Sequence, residues 1–166
     1  PLRMPWFHET YHDISAIGIH TAERLHAEQS PYQTIEVHGT KGHGRLLLLD
    51  GMVMLTELDE FVYHELIAHV PLCIHPDPKR VLVVGGGDGG TVREVLKHRG
   101  VERVVLCEID ERVTRVCQQW IPAVAGAQTA GPKLVGPFTR DDYPRALIDR
   151  PLTLDGMRQH CEGGCI

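Results

Sequence analysis

The sequence has no excess of basic charge: 17 Lys and Arg stand against 22 Asp and Glu, a formal net charge of −5. A nucleic-acid partner requires basic patches to meet its phosphates, so that class is excluded. No stretch approaches the roughly eighteen consecutive apolar residues of a membrane span. The first residues lack the charged-then-apolar order of a secretory signal, and none is expected. The 5 cysteines are odd in number and scattered; they form no disulfide framework and point to reduced thiols and a cytoplasmic location. No G-x-S-x-G surrounds a serine and no Gly-Lys-Ser/Thr follows a glycine loop, which removes nucleophile-elbow hydrolysis and Walker-type phosphate binding. There is no internal repeat or low-complexity tract. What remains is a globular chain of 166 residues, 42% hydrophobic, enough for one domain with a small N-terminal extension.

The chain is organised around Val81-Leu82-Val83-Val84-Gly85-Gly86-Gly87-Asp88-Gly89-Gly90-Thr91-Val92-Arg93-Glu94. An apolar run entering a glycine cluster ahead of a helix-competent segment reads as a buried parallel strand, a tight turn and a helix start. Glycines allow positive φ and let a ligand approach without meeting a Cβ, and the helix start offers unpaired N–H groups. Gly85, Gly87 and Gly90 satisfy G-x-G-x-x-G, a weak signal alone. Asp88 sharpens it, because a carboxylate facing a pyrophosphate opposes binding. The loop therefore suits a cation. A strand at Arg103 to Cys107 delivers Glu108, twenty positions after Asp88, where an α/β nucleotide site places the acid that holds ribose hydroxyls. An adenosine bearing a sulfonium or amine fits these two carboxylates better than NAD does.

Taken in order, residues around Trp6-Phe7-His8-Glu9 are expected to be an irregular or strand-like lead-in. Alternation then marks an antiparallel meander: Ile35 and Val37, a turn through Gly39 to Gly44, Arg45 to Leu49, an Asp50-Gly51 hairpin turn, and Met52 to Leu55. A helix is expected from Thr56, with Asp59 as its capping partner, toward His69. Val62, Leu66, Ile67 and Val70 form its apolar face, Tyr63 and His64 lie at the side, and Pro71, Pro76 and Pro78 end it and make a stiff connection into the strand at Val81. Gly89 to His98 and Glu111 to Trp120 read as helices, the second capped by Asp110 and stopped by Pro122. Lys133 to Val135 reads as a short strand. The expected fold is α/β: an N-terminal β-meander domain over 1–56, a partial Rossmann-like domain over 57–135 and an unassigned tail over 136–166. About three parallel strands leave an open edge and an uncovered apolar face, so low stability alone or reliance on an oligomer partner is expected.

Two side-chain clusters resemble metal sites. His64-Glu65 and His69 resemble a zinc helix, but a five-residue spacing turns the second imidazole about 140° from the first. His160, Cys161 and Cys165 lack a second ligand pair at structural-zinc spacing. No metal site is expected.

Ser30-Pro31-Tyr32-Gln33, Gly44-Arg45, Leu49-Asp50-Gly51, Asp59-Glu60-Phe61, Tyr63-His64-Glu65, the glycine loop with Arg93-Glu94-Val95, and Glu108-Ile109-Asp110 together resemble the spermidine synthases, a family of polyamine aminopropyltransferases. The resemblance covers about residues 6 to 122. It implies a small β domain followed by a methyltransferase-type Rossmann-like domain, and a homo-oligomer. It also implies transfer of an aminopropyl group from decarboxylated S-adenosylmethionine to putrescine, giving spermidine and methylthioadenosine, with no further cofactor. By the resemblance, Gln33, His64, Asp88 and Glu108 bind the donor with the glycine loop Gly85, Gly86, Gly87 and Gly89, and Tyr63 lies on the polyamine side. An alkylamine pKa of about 10 means that the acceptor needs help to lose a proton before it attacks. The family supplies this through an aspartate in an Asp-Ser-Ser-Asp-Pro-like motif, which this sequence does not contain, so the catalytic residue is unassigned. Met54 stands where the family usually has glutamine, and the family pattern fails after about Pro122, as in a truncated or divergent chain. Two other readings stand beside this one: an inactive remnant that binds donor or pairs with a complete subunit, and a methyltransferase-like protein that uses S-adenosylmethionine itself.

Overall fold

The computed structural model describes residues 6–126 in full and the backbone of 134–138. The chain divides into two compact units, Pro1–Phe61 and Val62–Ile166.

The first unit is an antiparallel sheet of five strands in sequential order: β1 (Trp6–Tyr11), β2 (Ser15–Gln29), β3 (Thr34–Thr40), β4 (Arg45–Leu49) and β5 (Met52–Thr56). The expected meander is its last three strands. The lead-in is regular where an irregular segment was one expectation: β1 and β2 pair from Trp6↔His20 to Tyr11↔Ser15. They turn through His12 and Asp13 at φ 50° and 55°. The register of β2 on β3 shifts twice, between Thr21 and Glu23 and between Arg24 and His26. Such bulges break the two-residue period, which is why the long strand is illegible as an alternation. The Asp50-Gly51 turn has positive φ at both residues, 51° and 75°, as a type I′ hairpin demands. Asp50 Oδ1 also accepts the Thr34 N–H at 2.8 Å. Glu9 Oε2 accepts the Val53 N–H at 2.8 Å, tying the first strand to the last. Ile19, Leu46 and Leu48 form a core with Phe7 and Val53. The register sets Ile35, Val37, Leu47 and Leu55 on the opposite face, where they too are buried.

The second unit begins within α1 (Glu60–Ile74) and continues through β6 (Arg80–Val84), α2 (Gly90–Leu96), β7 (Arg103–Cys107), α3 (Glu111–Trp120), α4 (Pro122–Ala125) and β8 (Leu134–Phe138). Its strands are parallel, in the order β6-β7-β8. Val81, Val83, Val92, Val95, Val101, Val104 and Leu106 form its core with Ala68 and Leu72 of α1. Burying each Val or Leu stabilises the fold by about 1.5–3 kcal/mol.

Four local expectations need correction. Thr56 ends β5 instead of starting a helix; its hydroxyl donates to Asp59 Oδ1 at 2.5 Å, and α1 begins at Glu60. Pro71 lies inside α1, not at its end. It removes one N–H, but the ladder resumes with His75 N–H donating to the Pro71 carbonyl at 3.0 Å, and burial of Leu72 beyond it offsets the loss. The stripe Val62, Leu66, Ile67 and Val70 is exposed, whereas His64, Ala68 and Leu72 are the buried residues of α1. Apolar periodicity identifies a face without saying which face the core takes. α3 does end at Trp120 ahead of Pro122, as expected, and Pro122 then opens α4 at its first position, where a missing N–H costs nothing. β8 runs past the expected boundary at residue 136. Lys133, His160, Cys161, Cys165 and the rest of the expected tail after 138 lie outside the described residues.

Candidate functional site

The β6 strand delivers the chain into Gly85 and Gly86, both at positive φ, 75° and 72°. The Gly85 N–H donates to the Cys107 carbonyl at 2.8 Å, which ties the loop to the end of β7. Gly89 takes φ 89° and stands as the N-cap of α2 without any side-chain cap. The other two glycines answer a different need, close approach. A Cβ on Gly87 would lie 2.7 Å from Glu108 Oε2, and one on Gly90 would collide with the His64 ring.

Asp88 and His64 meet at this loop. His64 Nε2 is 3.1 Å from Asp88 Oδ1, and the same oxygen accepts the Gly90 N–H at 2.8 Å. The first N–H of α2 is thus spent on Asp88, a correction to the expectation that it offers itself to a ligand. Burial pushes the Asp88 carboxyl up, but the hydrogen bond and charge of His64, with the Gly90 N–H, outweigh it and hold the group below the ordinary carboxylate value. Asp88 is therefore a fixed anion. His64 is 3% exposed. Tyr63 beside it is exposed and stacks edge-on against the His64 ring, centroids 5.4 Å apart.

Glu108 follows β7 and is buried, held by two backbone donors. Gly87 N–H reaches Oε2 at 2.8 Å, and Asp110 N–H reaches Oε1 at 3.0 Å. One bond to each oxygen orients the carboxylate in its plane and leaves it lone pairs for hydroxyl donors. Asp110 in turn caps α3, accepting from Arg112 N–H at 3.1 Å. Behind both acids lies the buried Cys117, whose thiol is pushed up by burial first and then by Asp88 and Glu108, so it stays protonated.

Glycine loop, His64, Asp88 and Glu108 thus share one constellation in the second unit. Gln33 belongs to the first unit, at the turn into β3, where its N–H donates to Ser30 Oγ at 3.0 Å. Sequence reading passed over Gly90 as a site residue and Asp110 as the second orienter of Glu108; for Gly90 the signal was its place in G-x-G-x-x-G. Among the described residues no group of three or more His, Cys, Asp or Glu is arranged to hold a metal ion.

Two family models match the chain in succession. Residues 5–57 match the spermidine synthase tetramerisation domain, and residues 60–136 match the spermine/spermidine synthase domain. A polyamine aminopropyltransferase of Desulforudis audaxviator (strain MP104C) is 52% identical over 120 residues, 72% of this chain and 44% of the relative. One from Halorhodospira halophila (strain DSM 244 / SL1) is 53% identical over 127 residues, 76% of this chain and 46% of the relative. Among solved structures, spermidine synthase from Thermotoga maritima superposes with a TM-score of 0.77 at 38% identity, covering 81% of this chain and 47% of that one. A spermidine synthase in complex with the transition state analogue AdoDATO gives the same TM-score and identity. The chain spans less than half the length of the curated relatives it matches. Both family domains occur in order, on an antiparallel sheet followed by a parallel one, and the chain belongs to the spermidine synthase family of polyamine aminopropyltransferases.

Proposed function

We propose that this chain holds decarboxylated S-adenosylmethionine for aminopropyl transfer to putrescine, giving spermidine in polyamine biosynthesis. The observation that carries the reading is the Asp88 carboxylate, ionised and fixed by His64 and Gly90 inside a glycine loop. A fixed anion attracts the terminal ammonium of the decarboxylated donor and repels the carboxylate of S-adenosylmethionine. Glu108, oriented by two N–H groups, suits the ribose hydroxyls. Gly85, Gly86, Gly87 and Gly89 let the nucleoside approach the backbone; Gln33, in the first unit, is assigned to the donor on the family resemblance alone. Exposed Tyr63 suits the polyamine side.

In the reaction the neutral acceptor nitrogen attacks the methylene beside the sulfonium. The new C–N bond forms as the C–S bond breaks, methylthioadenosine leaves and the nitrogen sheds a proton. No resident cofactor enters, because the sulfonium is itself the leaving group. We further propose a homo-oligomer, on the match to a tetramerisation domain, and a cytoplasmic location. Free Cys73, Cys107 and Cys117 suit a reducing compartment, and no described helix is long and apolar enough to cross a membrane.

The test is a calorimetric titration with decarboxylated S-adenosylmethionine, with S-adenosylmethionine as control. Preference for the decarboxylated form is expected; binding of neither overturns the reading. Single-turnover formation of methylthioadenosine with putrescine separates transferase from binding protein.

A further inference from the structure

His69 lies five residues, about 140°, around the helix from His64, too far round to share a metal ion with it. The same offset has another consequence. On the α1 wheel the buried Ala68 and Leu72 fall at about 40° and 80° from His64, so the two histidines flank the face that meets the core. Both reach the segment that opens and forms α2. His64 lies on Gly90 and binds Asp88. His69 Nε2 is 3.1 Å from Glu94 Oε2, and its Nδ1 is 2.8 Å from Nε2 of His98, just beyond the C-terminal end of α2.

Glu94 is wholly buried; Arg93 Nε at 2.7 Å and Lys97 pair with its carboxylate, and His69 Nε2 lies 3.1 Å from its Oε2. Apolar contact alone specifies the setting of α1 poorly: its buried apolar residues are one alanine and one leucine. Two polar anchors on opposite flanks resist rotation either way, because turning α1 in one direction lifts His64 off Gly90 and turning it in the other pulls His69 from Glu94.

We propose that His69, held between Glu94 and His98, is a positioning residue that sets the rotation of α1 on α2 and thereby seats His64 on Gly90 and Asp88. It rests on the donor-site reading for its purpose, though not for its geometry. His69 meets Glu94 and His98, both on or next to α2, and neither belongs to the donor constellation.

The test follows the Asp88 carboxyl by carbon NMR titration of the ligand-free chain, with H69A, H69Q and H98A variants beside the unaltered protein. Loss of the anchor is expected to raise the Asp88 pKa in H69A by about one unit, a tenfold change in its proton equilibrium. H69Q, whose amide can still donate to Glu94, recovers most of that shift, and H98A moves it the same way. If H69A does not fold, H98A and H69Q carry the test. An unmoved Asp88 titration in folded H69A or H98A overturns the proposal, even where the melting temperature falls. The donor-site reading fails separately, by loss of donor binding in the unaltered protein, which leaves the ligand-free titration valid.

Discussion

His64 Nε2 and Gly90 N–H converge on one oxygen of Asp88, at 3.1 Å and 2.8 Å. A carboxylate held by two donors keeps its charge in a half-buried loop, which water alone would not guarantee. Substituting D88N keeps the shape and removes the charge. A charge-assisted hydrogen bond is worth about 1.5–3 kcal/mol, so decarboxylated donor should bind tenfold or more weakly and the preference over S-adenosylmethionine should vanish. Calorimetry on both nucleosides checks this; an unchanged ratio of affinities would remove Asp88 from donor selection.

The glycines of the loop should differ in how they fail. G90A places a methyl group against the buried His64 ring, and overpacking of this kind costs about 1–3 kcal/mol. G87A places one 2.7 Å from Glu108 Oε2, displacing the carboxylate as well as destabilising the fold. At Gly85 nothing lies within 4 Å of a new Cβ, though φ is +75°, so G85A costs only the backbone strain of about 1–2 kcal/mol. Urea melts rank the three for stability, and donor titrations should single out G87A as weakening binding beyond its stability loss.

Acid should weaken the protein in two stages. The His98 imidazole is held below its ordinary 6.5 by burial first and by the charge of His69 second. The folded state then binds fewer protons than the unfolded state, so this contribution is complete above 6.5 and falls as pH drops below it. Asp88 and Glu94 are held below their ordinary 3.8 and 4.5: burial opposes this, and His64 in one case and Lys97 with Arg93 in the other outweigh it. Their contribution is present above those values and is lost as pH falls through the lower folded values. Melting temperatures recorded from neutral to strongly acid pH should decline first near 6.5 and again below 4.5. A stability that rises on acidification through 6.5 contradicts the His98 assignment.

The outer face of α1 should make the chain self-associate. Val62, Leu66, Ile67, Val70 and Ile74 are all exposed, a continuous apolar stripe of the kind that drives association. Light scattering should show a mass that grows with concentration, and the double substitution L66K/V70K should reduce it without lowering the melting temperature. Equal association by the double variant would place the contact elsewhere.

Much of this protein is decided by local chemistry. Asp50-Gly51 dictates a hairpin because few other pairs take positive φ twice. The run Val81–Val84 into glycine dictates strand, turn and helix, and Asp110 before Glu111 dictates a helix start. From these the α/β order and the pair Asp88 and Glu108 were legible, since strand ends and glycine turns project their next residues in a determined direction. Tertiary structure decided the remainder. Two bulges hid the period of β2, and only its pairing with β1 and β3 reveals a strand. Helical periodicity marked Val62, Leu66, Ile67 and Val70 as the apolar face of α1, but burial went to His64, Ala68 and Leu72, on the side where Asp88, Gly90 and Glu94 meet the helix. A pattern of apolar residues records what prefers to leave water. Which side chains do so depends on partners distant in sequence, and those exist only once the chain has folded.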